Sequence, residues 1–509
     1  MRTLDGLLLL ADFLAFYFLV LARTRNSVPM VVAPVIAFAM AAAHMLVEGP
    51  RWQMVPAYGL AILFFRLWLE RKFASAGALA GGTRPRLVTG LAIGAGALGL
   101  TIAAALPVMV PSLGLAQPSG PYAIGTLTYH WVDLSRSETF GTNPTGRRQL
   151  MAQIWYPALA NPAVARAAYL ADAGPVATAF ARIHGKPALL FRHFKFVTTK
   201  AMPLAPIADD QTPYPVLLFL DGATGYRQMN TFQVEHLVSH GYIVVAIDQP
   251  GAAAMVVFPD GHQVTGLAPA QFRATVGPSY LPGATSLSHC HNSVLLPNGR
   301  MLHERSIISY LAQDASFALD QLAVLNRADP NGILTGKLNL QRIGTFGVSL
   351  GGIVAGQACQ MDQRLRACLM MDAPMPTGVV KAGLQQPSMW ITRDAASMRL
   401  ERQRSGGWPE AEIDAHQNSM RAVYDGLSGA GYFVRVPGMF HSNFTDIFNW
   451  TALTFELGLS GPIDGRDAHA MINAYSLAFF DRHLLGRTTT LLDGPAKRYP
   501  GVLFESRQP

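Results

Sequence analysis

The residues Gly347-Val348-Ser349-Leu350-Gly351 place a serine between two glycines. The serine directly follows the apolar run 342–347 and precedes a run with helical spacing. In a tight turn from a strand to a helix, small neighbours allow the serine hydroxyl to stand above the edge of a sheet. The pattern therefore predicts that Ser349 is a nucleophile for acyl transfer.

A serine hydroxyl needs a general base, and that base is most often a histidine. Four histidines follow Ser349 in the chain: His416, His441, His469 and His483. Three of them lie in runs with helical spacing, which is typical of surface or packing residues. His441 lies in the loop sequence VPGMFHSNFTD, directly after the last predicted strand. Because that loop should lie over the same sheet edge as the serine, His441 is the predicted base.

An acid must orient the histidine, and it usually stands between the serine and the histidine in the chain. Asp372 ends the strand that follows the serine, and Asp394 comes just after the next strand. Either carboxylate could reach His441, so this pattern alone leaves both open. Asp446 is close to His441 in sequence but lies on the wrong side of the loop for a relay.

Acyl transfer through a serine also requires donors for the negative oxygen of the tetrahedral intermediate. One donor is predicted to be the backbone amide of Leu350, directly after the nucleophile. The other should come from the loop FLDGATGYR, in which a strand runs into Gly222. Glycine lets the backbone turn an amide toward a substrate. The amide of Ala223 is the predicted second donor, with that of Thr224 as the alternative.

The elements that must position these residues alternate along the chain after residue 111. Strands are predicted at 150–157, 214–222, 242–248, 342–347, 367–373, 388–392 and 431–436. Helices are predicted at 231–240, 303–326, 350–360, 410–427 and 468–485. Apolar strands that alternate with helices indicate an α/β fold with a mostly parallel sheet and helices on both faces. The irregular stretches at about 159–211 and 251–300 are expected to be insertions that form caps or binding loops.

The first 110 residues have a different character, because they hold most of the excess of apolar side chains. Four apolar stretches lie there: Asp5–Ala22, Val28–Val47, Val55–Leu69 and Leu87–Val110. A helix needs about 20 apolar residues to cross a bilayer, so the third stretch is marginal. We therefore expect residues 1–112 to form an all-α bundle of about four transmembrane helices and residues 113–509 to form the catalytic domain.

Basic residues predict which way these helices are oriented. Arg23 and Arg25 follow the first stretch, and Arg71, Lys72, Arg84 and Arg86 lie between the third and the fourth. Basic loops remain in the cytoplasm. With four crossings, the rest of the chain is expected on the extracytoplasmic side, which in a bacterial inner membrane is the periplasmic face.

Two ionisable residues in the apolar stretches, Asp12 and His44, could pair at a similar depth, either as a structural contact or as a functional site.

Three cysteines do not make a disulfide framework, and although one pair could be bridged, the sequence does not indicate which. The sequence SHCHN at Ser288–Asn292 contains potential metal ligands, but adjacent ligands rarely share one tetrahedral site, so we expect no metal and no cofactor. The net charge of +8 forms no basic stripe, and we expect no nucleic-acid partner.

The part from Pro121 to about Arg487 resembles the platelet-activating-factor acetylhydrolase family, in its bacterial lipase-like branch. The stretches that carry the resemblance are YPVLLFLDGATGYRQMN, LVSHGYIVVAIDQPG, LTGKLNLQRIGTFGVSLGG, MMDAPM, PGMFHSNFTD and GPIDGRDAHAMINAYSLAFFDRHLLG. The resemblance implies an α/β-hydrolase fold and a metal-free triad of serine, aspartate and histidine. Its acid follows the strand after the serine, which corresponds to Asp372, and its H-x-N-F motif corresponds to His441–Phe444. The sequence departs from the family at Asp221, where many members have histidine, and at Val348, where histidine is usual.

These observations predict a membrane-anchored serine ester hydrolase of the carboxylesterase or lipase type, acting through an acyl-enzyme. Its expected partners are a small-molecule or lipid ester, including short-acyl phospholipids, and the bilayer around its N-terminal helices. One alternative is a membrane sensor or transport component with a non-catalytic hydrolase-like domain. Another is a thioesterase or an amidase on the same fold.

Overall fold

The computed structural model describes residues 3–21, 28–73, 86–110, 114–140, 146–211, 213–267, 294–295, 301–302 and 307–508. Internal contacts divide the chain into two compact units. The helical unit consists of Met1–Gly114, Leu189–Val197 and Asn449–Leu453. The sheet unit consists of Leu115–Ala188, Thr198–Phe448 and Thr454–Pro509.

The sheet unit is built on one ten-stranded sheet. Its strands are β1 (Ala123–Ser137), β2 (Arg147–Ala158), β3 (Met202–Pro203), β4 (Tyr214–Leu220), β5 (Ile243–Asp248), β10 (Leu338–Val348), β11 (Leu365–Met371), β12 (Ser388–Thr392), β13 (Gly431–Arg435) and β14 (Leu503–Arg507). The intervening β6 (Met255–Val257), β7 (Gln263–Thr265), β8 (Val294–Leu295) and β9 (Met301–Leu302) form two small hairpins.

The order of strands in the large sheet is β14-β13-β12-β11-β10-β4-β5-β2-β1-β3. The central strands from β5 to β13 pair in parallel, whereas β2 and β14 pair antiparallel with their inner neighbours. The carboxyl ends of the parallel strands therefore meet at one edge, which is where ligands bind in open α/β sheets.

Helices cover both faces of this sheet. The helices of the sheet unit are α5 (Ala173–Ile183), α6 (Thr231–Ser239), α7 (Ile307–Arg327), α8 (Leu350–Met361), α9 (Thr377–Ala382), α10 (Ala395–Ser405), α11 (Glu410–Asp425) and α12 (Gly465–Leu485). Alternate residues of β4 pack into different clusters: Leu218 packs with residues of α7 and α8, and Phe219 packs with residues of α6 and α12. Because successive side chains of a strand point to opposite faces, the sheet is buried on both sides.

Each of the seven predicted strands overlaps an observed strand, although four of them extend one or two residues beyond it. The five predicted helices correspond to α6, α7, α8, α11 and α12. The first four residues of the predicted run 303–326 lie outside the described residues, and the described helix α7 begins at Ile307. The predicted insertion at 159–211 contains α5 and β3. Much of the other insertion, at 251–300, lies outside the described residues, as does the sequence SHCHN.

The helical unit contains α1 (Thr3–Phe16), α2 (Val28–Val47), α3 (Val55–Phe73) and α4 (Arg86–Met109), as well as a π-helical turn at Tyr17–Leu21. Among the described residues, three helical stretches are long and apolar enough to cross a membrane: Thr3–Leu21, Trp52–Phe73 and Gly90–Met109. The third predicted stretch, expected to be marginal, is thus part of a helix of 22 residues. In the second stretch, the part of α2 that counts as an apolar helix is Val31–Val47, which is shorter than the other three.

The expected pairing of Asp12 with His44 is wrong. His44 Nε2 lies 2.8 Å from Asp5 Oδ1 and 2.9 Å from Arg51 Nη2, and Tyr58 Oη lies 2.9 Å from His44 Nδ1. Asp12 is buried, and its carboxylate has no hydrogen bond to any described residue. About two turns of α1 separate the two acids, and Arg51 pairs with Asp5. Asp5 Oδ1 and His44 Nε2, two atoms that could bind a metal ion, both contact the Arg51 guanidinium instead.

A disulfide joins Cys359, near the end of α8, to Cys368 in β11. It links the helix that follows Ser349 to the strand that leads to Asp372. Cys290 lies outside the described residues.

Candidate active site

Ser349 lies at the turn between β10 and α8, and its backbone has a φ of 57°, in the left-handed region. A Cβ at Gly347 would lie 2.3 Å from the carbonyl of Gly351, and one at Gly351 would lie 1.9 Å from the carbonyl oxygen of Leu220. Glycine is therefore required on both sides of the serine, because the turn passes so close to neighbouring backbone. The amide of Leu350, at the first position of α8, donates no hydrogen bond within the described part of the chain.

The loop after β4 lies beside this serine. A Cβ built at Gly222 would lie 3.4 Å from Ser349 Cβ and 3.9 Å from Ser349 Oγ. The amide of Thr224 donates to the carbonyl of Ala252 at 2.7 Å, so it is not free to bind an oxyanion. The amide of Ala223, in contrast, has no acceptor among the described residues. Of the two donors considered in this loop, Ala223 is the one with an available amide.

Asp372 follows β11 with a φ of 43° and is fully buried. Its Oδ1 accepts hydrogen bonds from Thr392 Oγ1 and from Arg393 Nε, both at 3.1 Å. His416 Nε2 lies 3.4 Å from the same oxygen. Burial alone would raise the pKa of Asp372, but the Arg393 guanidinium, together with His416 and His441, holds it well below its usual range. The carboxylate is therefore ionised.

The ring of His441 contacts this carboxylate, with Nδ1 2.5 Å from Asp372 Oδ2. With Nδ1–H donating to the carboxylate, Nε2 is left as the proton acceptor. The loop is braced by Asn443, whose Oδ1 accepts hydrogen bonds from the amides of Phe440 at 2.8 Å and Gly461 at 3.0 Å. The asparagine of the H-x-N-F motif thus holds the backbone on which the histidine is mounted.

Backbone strain is concentrated in this region. Four non-glycine residues have a positive φ among the described residues: Leu204 at 52°, Thr224 at 60°, Ser349 at 57° and Asp372 at 43°. Such conformations cost about 1–3 kcal/mol each and occur preferentially at functional sites. Three of the four belong to the serine turn, the acid or the adjacent loop.

The other candidates from the sequence have structural contacts elsewhere. Asp394 caps α10 by accepting a hydrogen bond from the amide of Ser397 at 2.9 Å. His469 Nε2 lies 3.1 Å from the carbonyl oxygen of Thr445, and burial lowers the pKa of this histidine to about 4. Burial likewise lowers the pKa of His483 to about 4.

The structure brings Asp372 and His441 into a hydrogen bond and sets Ser349 beside Gly222. Within the described part of the chain, no hydrogen bond joins the Ser349 hydroxyl to His441. Asp446 is turned away from His441, since its carboxylate accepts hydrogen bonds from the backbone amides at the start of α6.

Sequence reasoning missed three residues around the acid and interpreted a fourth, His416, as a surface or packing residue. Arg393 and His416 contact Asp372, Glu401 contacts Arg393, and the ring of Trp408 lies 5.9 Å from that of His441. Arg393 stands directly after β12, at the carboxyl edge of the sheet. Its position after a predicted strand could have indicated that it lies near the site. The other three come from α10, from α11 and from the segment between them, and their spacing carries no signal for this site.

No protein-family model matches the chain. A platelet-activating factor acetylhydrolase of Canis lupus familiaris is 26% identical over 57% of this chain and 62% of its own length. A probable 1-alkyl-2-acetylglycerophosphocholine esterase of Arthroderma benhamiae is 24% identical over 58% of this chain and 67% of its own. The chain thus spans less than two thirds of the canine relative.

A solved structure gives the broader match. The ferulic acid esterase from Streptomyces cinnamoneus has a TM-score of 0.56 and 26% sequence identity, and the match covers 77% of this chain and 99% of that one. The match confirms the predicted fold, a mostly parallel sheet with helices on both faces. The chain thus has an α/β-hydrolase fold and is similar in sequence to platelet-activating factor acetylhydrolases.

Proposed function

We propose that the protein is a membrane-anchored serine ester hydrolase that uses Ser349, His441 and Asp372 as a catalytic triad. The observation that supports this most directly is the hydrogen bond between His441 Nδ1 and the buried, ionised Asp372, on the sheet edge that also carries the strained serine turn. A histidine oriented in this way presents Nε2 as a base, which a serine nucleophile requires.

In the proposed first half of the reaction, Ser349 Oγ attacks the ester carbonyl carbon while His441 Nε2 takes the hydroxyl proton. The negative charge that develops on the carbonyl oxygen is received by the amides of Leu350 and Ala223. Asp372 stabilises the imidazolium. Collapse of the tetrahedral intermediate breaks the bond to the alcohol, which leaves with the proton from His441.

The second half releases the acid. A water molecule gives a proton to His441 and attacks the acyl-serine carbonyl, and a second tetrahedral intermediate forms. When it collapses, Ser349 regains its proton from His441 and the carboxylic acid departs. No bond is made to any group beyond the chain, the ester and water.

The names of the relatives suggest the class of ester. By their names, one relative is an acetylhydrolase of platelet-activating factor, one is a probable esterase of 1-alkyl-2-acetylglycerophosphocholine, and the solved structure is a ferulic acid esterase. Apolar helices that can lie in a bilayer favour a lipid ester, because they would hold the enzyme where such substrates are concentrated. We therefore propose a phospholipid with a short acyl chain as the substrate class, with other small esters as the alternative.

The test uses full-length protein purified in detergent and a fluorophosphonate probe, which forms a covalent bond with an activated serine. We expect wild type to be labelled and Ser349→Ala not to be. We also expect Ser349→Ala to lose about 10⁴-fold or more in kcat on 4-nitrophenyl acetate, as removal of a triad member typically does.

Ser137→Ala, at an exposed position at the end of β1, is the control and should retain labelling and turnover. Wild type that neither labels nor turns over any ester would contradict the proposal and favour a binding domain in a sensor or transporter. Turnover of thioesters or amides in preference to matched oxygen esters would instead favour the other alternative.

A further inference from the structure

Two charged residues connect the acid and the base of the site by a second route. Arg393 Nε lies 2.9 Å from Asp372 Oδ2, and Arg393 Nη1 contacts Glu401 Oε2. The same Glu401 oxygen accepts a hydrogen bond from the backbone amide of His441 at 3.3 Å. With the bond from His441 Nδ1 to Asp372, these contacts close a ring of four residues, in which the two carboxylates alternate with the Arg393 guanidinium and with N–H groups of His441.

Most of the ring is shielded from water. The side chains of Asp372 and Arg393 are fully buried, that of Glu401 is 14% exposed and that of His441 is 30% exposed. Trp408 covers the ring: the Arg393 guanidinium lies 5.5 Å from the centre of its indole, and the His441 imidazole lies 5.9 Å away. Because water is largely excluded, the charges act on one another more strongly than exposed ion pairs do.

Few other ionisable groups of the described chain lie near this ring. His416 is buried, 3.4 Å from Asp372 Oδ1, and burial lowers its pKa, so it adds no positive charge at neutral pH. Further out on α10, Arg399 and Arg402 are paired with Glu410 at 2.6 and 2.9 Å. Arg393 and Glu401 are therefore the charges that act most directly on the pair formed by Asp372 and His441.

We propose that Arg393 and Glu401 are positioning residues that set the pH above which His441 can act as a base. This inference rests on the proposed function. The negative charge of Asp372 favours the imidazolium form of the histidine over the neutral form. Arg393 offsets part of that negative charge, and Glu401 in turn offsets part of the charge of Arg393. The ring thereby adjusts the acidic limb of the pH profile while it fixes the loop that carries the histidine.

The two residues are predicted to have opposite effects, which a purely structural role would not produce. Arg393→Met should move the acidic limb of kcat/KM to higher pH by about one unit, the scale expected for a neighbouring charge. Glu401→Gln keeps an acceptor oxygen but removes the negative charge, and it should move the limb to lower pH. Arg393→Lys keeps the charge and should hold the limb near its wild-type position, even where kcat falls because the forked contact is lost.

The experiment measures kcat/KM for 4-nitrophenyl acetate and the rate of fluorophosphonate labelling of the full chain in detergent, between about pH 5 and 9. Arg399→Met is the matched control. It removes an arginine from the same helix as Glu401, but this arginine is paired with Glu410 and not with the ring. It should leave the limb in place.

The inference is overturned if the acidic limb of kcat/KM stays in place in both Arg393→Met and Glu401→Gln. It is also overturned if the limb moves in the same direction in the two variants. If Arg393→Met does not fold, Glu401→Gln decides alone, since a limb that is unchanged or moved upward contradicts the proposal. The proposed function fails separately: wild type would then show neither turnover nor labelling, and the inference would fall with it.

Discussion

Asp372 and Asp394 form a natural pair for a test at the scale of single residues, because each follows a parallel strand of the sheet. Asp372→Asn removes the charge that orients and stabilises the imidazole, and we expect kcat to fall about 10⁴-fold with the fold intact. Asp394→Asn changes only the cap of α10, where asparagine is an equally good capping residue, so kcat should stay near the wild-type value. Equal losses in both variants, measured on 4-nitrophenyl acetate, would contradict the assignment of the acid.

The residues proposed to react could be predicted from the sequence, and the residues that surround them could not. Ser349, Asp372 and His441 each stand at the carboxyl end of a strand, and strand ends can be found from apolar runs. Glu401 and His416 lie within helices, where a charged or aromatic residue at one position gives no indication of which neighbour it faces. Their contacts with the site follow from how α10 and α11 pack, and that packing is decided by the whole fold.

At the scale of elements, the disulfide between α8 and β11 should stabilise the sheet unit without taking part in the reaction. Replacing both Cys359 and Cys368 by serine should lower the free energy of unfolding by about 2–3 kcal/mol. Without the disulfide, the unfolded chain is no longer closed into a short loop and gains conformational entropy. Chemical unfolding in detergent, followed by tryptophan fluorescence, measures this change. Wild type treated with a reductant after unfolding should refold to the lower stability, and kcat of the folded double variant should be close to that of wild type.

β1 is the longest strand that the sequence pattern did not predict. β1 runs from Ala123 to Ser137 with buried and exposed residues in alternation over much of its length, and it contains several polar residues. Its apolar runs are therefore too short to stand out against the surrounding loops. The central strands, buried on both faces, are continuous apolar runs and were predicted for that reason.

At the scale of the whole molecule, acid should destabilise the fold through buried histidines. Burial lowers the pKa of His236, His469 and His483 from 6.5 to about 4 in the folded state. Between these values the unfolded chain binds protons that the folded chain does not, so stability is present above pH 6.5 and is lost as the pH falls toward 4. Each histidine contributes about 1.4 kcal/mol per pH unit in this window.

His469→Gln should reduce the slope of stability against pH by about one histidine's share, because it removes one group that takes up a proton on unfolding. Glutamine can still donate a hydrogen bond to the carbonyl of Thr445, so the fold should be kept. Thermal unfolding of the full chain in detergent, at a series of pH values, gives the slope. His130→Gln, an exposed position on β1, should leave it unchanged. A slope that is identical in His469→Gln and wild type would contradict this explanation.

The orientation of the helices is a second prediction for the whole molecule. Arg71 and Lys72 follow the apolar part of α3, and such residues remain in the cytoplasm. A reporter that is active only outside the cytoplasm should therefore be active when fused after Gly114 and inactive when fused after Phe73. The reverse pattern would place the sheet unit in the cytoplasm, where a disulfide between Cys359 and Cys368 would not be expected to persist.

The antiparallel pairing of β14 with β13 affects how the protein can be handled. β13 leads into the loop that carries His441, and its outer edge is covered only by β14, at Leu503–Arg507. A shortened version that lacks these residues would leave the amides and carbonyls of a buried strand open along the rim of the sheet. An exposed edge strand pairs with the edge strands of other molecules, so we expect such a version to self-associate. The loop that carries His441 would also lose support, because it follows β13 directly.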